Sequence, residues 1–203
     1  MATGFKHKHI PVLLKETIAG LNVKKDGIYI DGTFGRGGHS KAVLEQLGNK
    51  GHLLAIDRDE QALSSILPEF NNDLRFELIK EEMSELKNIV GKKSLLGMID
   101  GIMLDLGVSS PQLDQASRGF SFQKDGPLDM RMDSNAGMSA AEWLANVRED
   151  ELKKVLYEYG EERFAPRITK KIIESRVSSP LKTTSDLAAL VTQVLPKTYS
   201  KKH

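Results

Sequence analysis

The stretch that decides the fold reads Asp31-Gly32-Thr33-Phe34-Gly35-Arg36-Gly37-Gly38-His39, and we call residues 31–39 the glycine turn. Glycine has no Cβ, so it tolerates a positive φ and lets a ligand approach the backbone closely. The spacing G-x-x-G-x-G-G differs from the G-x-G-x-x-G of dinucleotide-binding turns, and no lysine follows as in a P-loop. The glycine turn therefore predicts a site for a small ligand, and phosphate is not the obvious one.

The segments around the glycine turn alternate between strand and helix patterns. Strands separated by helices favour right-handed βαβ units and a parallel sheet, so the first half of the chain predicts an α/β fold. The predicted strands span residues 28–30, 53–56, 74–79 and 99–104, and the predicted helices span residues 39–47 and 60–67.

The character of the sequence changes after Asp105. Residues 107–138 are rich in Gly, Ser, Asp and Pro, and they are too many for a simple connection, which indicates a functional or disordered loop. We therefore expect a ligand-binding α/β domain over residues 1–106 and a second domain, this loop followed by a small helical domain, over residues 107–203. Helices are predicted from residue 139, where a capping box begins, over 149–159, over 161–176 with a bend near Pro166, and over 184–195.

Carboxylates follow three of the predicted strands, namely Asp31, Asp57 and Asp105. Ligands of parallel sheets bind beyond the carboxyl ends of the strands, where Asp57 could accept both hydroxyls of a ribose and Asp31 could hold an ammonium group. Three acids would repel a pyrophosphate and tolerate a cationic sulfonium with an amino-acid tail, a description that S-adenosylmethionine meets. Taken singly, Asp31 or Asp57 is more often a cap of a helix or turn.

Composition excludes several classes of site. The chain has no cysteine, which excludes disulfides and thiolate metal sites. No run approaches the roughly 18 to 20 apolar residues that span a bilayer, so we expect no membrane association and a cytoplasmic location. His7, His9 and His39 are candidate metal ligands, but His39 is better interpreted as a ligand-facing residue at a helix start, and we expect no bound metal.

Basic residues concentrate near the end of the chain. Residues 163–203 contain nine Lys and Arg against two Asp and Glu, although the whole chain has a net charge of only +1. Such a polarised distribution can present a basic face to an anionic polymer, and it is about equally typical of a solvated helix surface.

Several longer motifs are specific enough to indicate a family. They include Asp105-Leu106-Gly107-Val108-Ser109-Ser110-Pro111-Gln112-Leu113-Asp114, Asp125-Gly126-Pro127-Leu128-Asp129-Met130-Arg131-Met132 and Tyr159-Gly160-Glu161-Glu162-Arg163, together with residues 9–14, 29–40, 54–59 and 118–122. In these motifs the chain resembles the bacterial 16S ribosomal RNA cytosine-N4 methyltransferases, the MraW-like group. The matching segments run in order along nearly the whole chain.

The resemblance implies transfer of a methyl group from S-adenosylmethionine to the exocyclic amine of one cytidine in the decoding region of 16S rRNA. It implies a Rossmann-like α/β sheet with an inserted, smaller all-helical domain that recognises the substrate. Met83 stands where other members can have an aromatic residue, and a methionine can still pack on adenine. The expected cofactor contacts, including five from the glycine turn itself, are Asp31, Gly35, Gly37, Gly38, His39, Asp57, Met83, Asp105 and Gln112.

The catalytic candidate is Asp105, which either accepts a hydrogen bond from the amine or only holds the cofactor. Many amine methylases carry a D/N/S-P-P-aromatic motif at this place, but this chain has Asp105-Leu106-Gly107-Val108. A base taken out of the RNA stack therefore needs a stacking partner from elsewhere, and Phe120 and Phe122 are candidates unless they belong to the core. The expected substrate-binding residues are Arg118, Phe120, Phe122, Arg163, Arg167, Lys170 and Lys171.

Members of the resembled family continue past the position of His203 through an arginine-rich motif and the last sheet strands. We therefore expect the final strands to be missing from this chain, and a form that binds cofactor without activity stays open as a second interpretation. Action on another nucleic acid, a non-catalytic binding module and a dinucleotide-dependent oxidoreductase also stay open. A homodimer is plausible by resemblance.

Overall fold

The structure is a computed structural model, and it describes residues 11–64 and 66–196. His7, His9 and the basic residues Lys197, Lys201 and Lys202 lie outside the described residues. The chain divides into two compact units, Met1–Gly107 and Val108–His203.

The first unit contains a four-stranded parallel sheet, with the strand order β3-β2-β1-β4 among the described residues. Both inner strands carry nearly continuous apolar runs, as expected of strands that are covered on both faces. This sheet and its helices confirm the predicted α/β, Rossmann-like class. The strands are β1 (Ile28–Asp31), β2 (His52–Asp57), β3 (Phe76–Lys80) and β4 (Gly101–Met103).

Alternating side chains divide the core of the first unit into two clusters, one on each face of the sheet. Tyr29 and Leu53 belong to one cluster, and their neighbours Ile30 and Leu54 belong to the other. The helices are α1 (Leu14–Leu21), α2 (Gly38–Leu44), α3 (Glu60–Ser64), α4 (Pro68–Asn71) and α5 (Leu86–Lys92).

Two of these helices, α2 and α3, differ from the expected bounds, and α1, α4 and α5 were not predicted. The helix expected over residues 60–67 ends at Ser64, and Pro68 starts a separate helix, because proline is favoured in the first helical turn. The helices α1 and α5 were missed, although Leu14, Ile18 and Leu21 of α1 recur at helical spacing and pack in the core of the first unit.

The described part of the second unit consists of helices and of an irregular loop over residues 119–139, with one isolated bridge between Pro127 and Thr183. Its core includes Leu128, Leu152 and Ile172, all buried. The capping box predicted at residue 139 is present before α7. The helices are α6 (Ser110–Asp114), α7 (Ala140–Asn146), α8 (Glu149–Lys154), which continues as one π-helical segment (Val155–Tyr159), α9 (Ala165–Ser178) and α10 (Thr184–Val194).

The bend predicted near Pro166 is wrong, because α9 begins at Ala165 and places the proline in its first turn. Glu161 has a φ of 50°, in the left-handed region, and so interrupts the helical path. The Glu162 carboxylate then accepts a hydrogen bond from the Phe164 N–H at 2.7 Å. This contact satisfies a backbone donor near the start of α9.

The glycine turn is packed against the core of the first unit. Gly37 has a φ of 72°, and an added Cβ would lie 2.8 Å from the rings of Phe34 and Phe70. An added Cβ on Gly38 would collide with the ring of Pro11. These two glycines therefore make room for protein side chains, whatever ligand the turn also binds.

Asp31, the last residue of β1, stabilises the glycine turn through side-chain hydrogen bonds. Its side chain is 2% exposed, and it accepts hydrogen bonds from the Thr33 N–H at 3.0 Å and the Ser40 hydroxyl at 2.7 Å. Burial raises the pKa of the Asp31 carboxyl above its ordinary value, and both hydrogen bonds oppose the shift.

We expect Gly37→Ala to lower the free energy of unfolding by roughly 2 kcal/mol or more, because it adds a strained φ and an overpacked contact. Gly20 provides the control, since it lies in α1 with nothing within 4 Å of an added Cβ. Gly20→Ala should be neutral or stabilising by up to about 1 kcal/mol. Denaturant unfolding of both variants measures the difference; an equal effect would contradict the packing argument.

We expect wild type to have a higher free energy of unfolding than Asp31→Asn at low pH. This difference should shrink as the pH rises from 3.8, the ordinary pKa of the carboxyl group, towards neutrality. A carboxyl whose folded-state pKa is raised binds its proton more tightly when folded, so its contribution is complete at low pH and is lost as the pH passes the raised value. Denaturant unfolding over this range measures the difference. Exposed Asp26 supplies the control variant Asp26→Asn, and an advantage that grows with pH would refute the expectation.

Candidate functional site

The carboxyl ends of parallel strands meet at one edge of the sheet, and Asp57 stands there at the end of β2. Its two carboxylate oxygens accept hydrogen bonds from the backbone N–H groups of Gly35 and Asp59, both at 2.8 Å. Each oxygen keeps a second lone pair, so this partly buried carboxylate can still accept hydrogen bonds from a ligand diol.

Asp105 follows β4 by two residues and presents an exposed side chain, 59% accessible. Its backbone N–H donates to the Thr33 hydroxyl at 2.7 Å, which joins the segment after β4 to the glycine turn. Sequence reasoning missed Thr33, because only the folded chain brings it to Asp105. The structure thus fixes the backbone of Asp105 and leaves its carboxylate accessible.

His39 lies in the first turn of α2, with its side chain only 10% exposed. Its Nδ1 is 3.9 Å from Oδ2 of Asp105. Its Nε2 is buried and has no hydrogen-bond partner among the described residues. The ring therefore faces Asp105 through Nδ1, while Nε2 is closed off from solvent.

The apolar side chains of Leu104 and Met83 lie next to the start of the glycine turn. An added Cβ on Gly32 would lie 2.5 Å from Leu104 Cδ2 and 3.5 Å from Met83 Sδ. Both side chains are partly exposed, so a flat apolar group can contact them. Leu104 was not predicted, although its place directly before Asp105, after the buried Met103, was a usable signal.

The predicted ligand-binding residues of the first unit thus differ in how accessible they are to solvent. Asp31 is enclosed and faces the turn, and the N–H of Gly35 is bonded to Asp57. Asp57, Met83 and Asp105 remain accessible to different degrees. Together they fit a ligand with a diol, a flat ring and a positive centre, which is the chemistry of S-adenosylmethionine.

The predicted residues of the loop in the second unit are partly engaged within that loop. Gln112 is buried, and its side chain accepts from the Ser109 N–H at 2.9 Å in the capping box of α6. The Arg118 guanidinium is also buried and donates to the carbonyls of Arg131 and Met132. Arg118 thus organises the loop, a placement that sequence reasoning did not anticipate.

The aromatic candidates in this loop differ in exposure. Phe122 is 66% exposed, whereas Phe120 is half-buried. A nucleobase can therefore stack on Phe122 without any rearrangement of the core.

The predicted cations Arg163, Arg167, Lys170 and Lys171 are all exposed. In α9 the buried residues are Ala165, Ile168, Thr169 and Ile172, so the cations of this helix occupy the opposite face. Lys170 lies 3.9 Å from Glu174, and the Arg163 guanidinium lies 4.9 Å above the ring of Phe164.

Within the described ranges, no cluster of three or more His, Asp or Glu residues is arranged to hold a metal ion. In the same residues, no helix has both the length and the apolar character needed to cross a bilayer.

The comparison with known families agrees with the fold and with the residues at the sheet edge. A family model described as the MraW methylase family matches residues 6–203. The match covers nearly the whole chain, and members of this family are S-adenosylmethionine-dependent methyltransferases that act on RNA. The chain therefore belongs to the MraW methylase family.

Proposed function

We propose that this protein methylates N4 of a cytidine in the decoding region of 16S rRNA, with the small ribosomal subunit as its substrate. The observation that supports the proposal most is the exposed Asp105 carboxylate at the end of the sheet, beside the glycine turn. Its backbone is held by Thr33 at 2.7 Å. An accessible carboxylate in a fixed place is suited to accept a hydrogen bond from an amine.

The residues at the sheet edge would hold the cofactor. Asp57 would bind the ribose diol with its free lone pairs, and Met83 and Leu104 would contact the adenine ring. Gly37 and Gly38 would set the path of the backbone alongside the ligand. When bound, S-adenosylmethionine supplies an electrophilic methyl group.

Asp105 would overcome the weak nucleophilicity of the cytosine amine, whose lone pair is delocalised into the ring. By accepting a hydrogen bond from N4–H, the carboxylate orients the amine towards the methyl carbon. Such positioning can lower a barrier by several kcal/mol, about 7 or more in favourable cases. As the new N–C bond forms and the bond between the methyl carbon and the cofactor sulfur breaks, the amine would lose one proton, which Asp105 would accept and pass to water.

The second unit would bind the RNA. Arg167, Lys170 and Lys171 lie on the exposed face of α9, where they can contact phosphates, and phosphate contacts supply much of the affinity for nucleic acids. Phe122 would stack on a base that leaves its helix. Gln112 and Arg118 would hold the loop in shape, through the contacts that they make within it.

We expect the protein to transfer a tritiated methyl group from labelled S-adenosylmethionine to small ribosomal subunits, with the label recovered as N4-methylcytidine after digestion. Asp105→Asn should lower turnover by roughly a hundredfold, because proton acceptance is lost, and should keep its affinity for S-adenosylhomocysteine. Asp57→Ala should instead lower that affinity by roughly tenfold or more, measured by calorimetry.

Asp26→Asn, which removes an exposed carboxylate of the same unit, is the control and should resemble wild type. Label in another nucleoside would refute the proposed target atom. Full turnover of Asp105→Asn at saturating cofactor would refute the role of Asp105.

We expect the triple variant of Arg167, Lys170 and Lys171, each changed to Gln, to weaken binding to 16S rRNA and to flatten its salt dependence. Each lost phosphate contact reduces the slope of log affinity against log salt by roughly 0.7 to 0.9. In the control variant, three exposed lysines of the first unit are changed to Gln in the same way, namely Lys15, Lys25 and Lys87. Equal slopes for the two triple variants would show that only net charge matters.

A further inference from the structure

The Asp105 carboxylate has one side-chain partner among the residues that the structure describes. That partner is His39, whose Nδ1 lies 3.9 Å from Oδ2. Thr33 holds only the backbone of Asp105. Because the Asp105 side chain is largely exposed, His39 is the described residue in a position to orient its carboxylate.

His39 is itself held firmly enough to impose such an orientation. Its ring is nine-tenths buried, and its neighbour Ser40 is tied to Asp31 by a hydrogen bond of 2.7 Å. Asp31 also lies near His39, but among the described residues the hydrogen bonds to its carboxylate come from Ser40 and Thr33. The Nδ1 atom is therefore left to interact with Asp105.

The Asp105 contact decides which ring nitrogen of His39 carries the hydrogen. A neutral imidazole has one N–H donor and one acceptor, and the hydrogen bond of one nitrogen sets the tautomer. Nε2 has no hydrogen-bond partner among the described residues in either tautomer, so the two forms differ at Nδ1. A hydrogen on Nδ1 would face the Asp105 carboxylate as a donor, whereas an Nδ1 lone pair would face the negative charge with repulsion.

We propose that His39 is a positioning residue whose Nδ1–H holds Oδ2 of Asp105 and so leaves Oδ1 for the amine of the substrate. The inference rests on the proposed function of Asp105. The gap of 3.9 Å is longer than a hydrogen bond, and it closes by rotation of the exposed Asp105 side chain or through one bridging water. His39 acts through Asp105 and takes no proton from the substrate.

Long-range ¹H–¹⁵N correlation spectra test the contact without any need for activity. We expect the His39 hydrogen on Nδ1 in wild type, and a changed or exchange-broadened Nδ1–H signal in Asp105→Ala. The His39→Asn variant assigns the signal by its disappearance, and Glu45→Ala, at an exposed site at the end of α2, should leave the signal unchanged. A hydrogen on Nε2, or an identical Nδ1–H signal in Asp105→Ala, overturns the inference.

Two variants of His39 then test its role in the reaction. The asparagine amide can place its nitrogen near the position of Nδ1, whereas the glutamine amide reaches the position of Nε2. We expect His39→Asn to retain roughly tenfold more turnover than His39→Gln, the scale of a misplaced catalytic group, with equal affinities for S-adenosylhomocysteine.

Equal losses of turnover in the two variants, or a loss confined to cofactor affinity, overturn the positioning role and leave the proposed function intact. If wild type transfers no methyl group to small subunits, the proposed function fails, and the NMR spectra alone decide whether His39 holds Asp105.

Discussion

The Asp57 carboxylate accepts a hydrogen bond from the Gly35 N–H at 2.8 Å, and this contact joins the glycine turn to the end of β2. The turn in turn carries Thr33, whose hydroxyl fixes the backbone of Asp105. The Asp57 carboxylate and the backbone of Asp105 are therefore linked through the glycine turn by two hydrogen bonds. The proposed ribose contact and the proposed catalytic carboxylate thus belong to one connected arrangement.

Burial separates the roles of the three acids that follow the strands. Asp31 is enclosed and has a raised pKa, which suits a group that organises the backbone. Asp57 is partly buried and keeps free lone pairs beside those that bind the turn. Asp105 is largely exposed, which suits the proposed contact with a substrate. The three aspartates at the sheet edge thus differ in their access to water, and the roles proposed for them follow these differences.

Much of this arrangement could be predicted from sequence, because it depends on local signals. Short apolar runs marked the strands, and acids at their ends marked the edge where the site lies. The rest depends on contacts between distant segments. The buried Arg118 satisfies carbonyls more than ten residues away, and His39 meets Asp105 only in the folded chain. The break between the two helices was predicted at Gly160, but the left-handed residue is Glu161, because a left-handed backbone at a non-glycine residue has no reliable sequence signal.

Phe34 gives the glycine turn a further property. Its ring packs between Phe70 and Phe76, with ring centroids 5.4 and 5.7 Å away, and its N–H donates to the Ile56 carbonyl at 3.0 Å. Loops that bind ligands are often the least stable parts of a protein and open by themselves. Here the loop is anchored in the aromatic core, so the Phe34 N–H should exchange with solvent far more slowly than the amides of an unanchored loop.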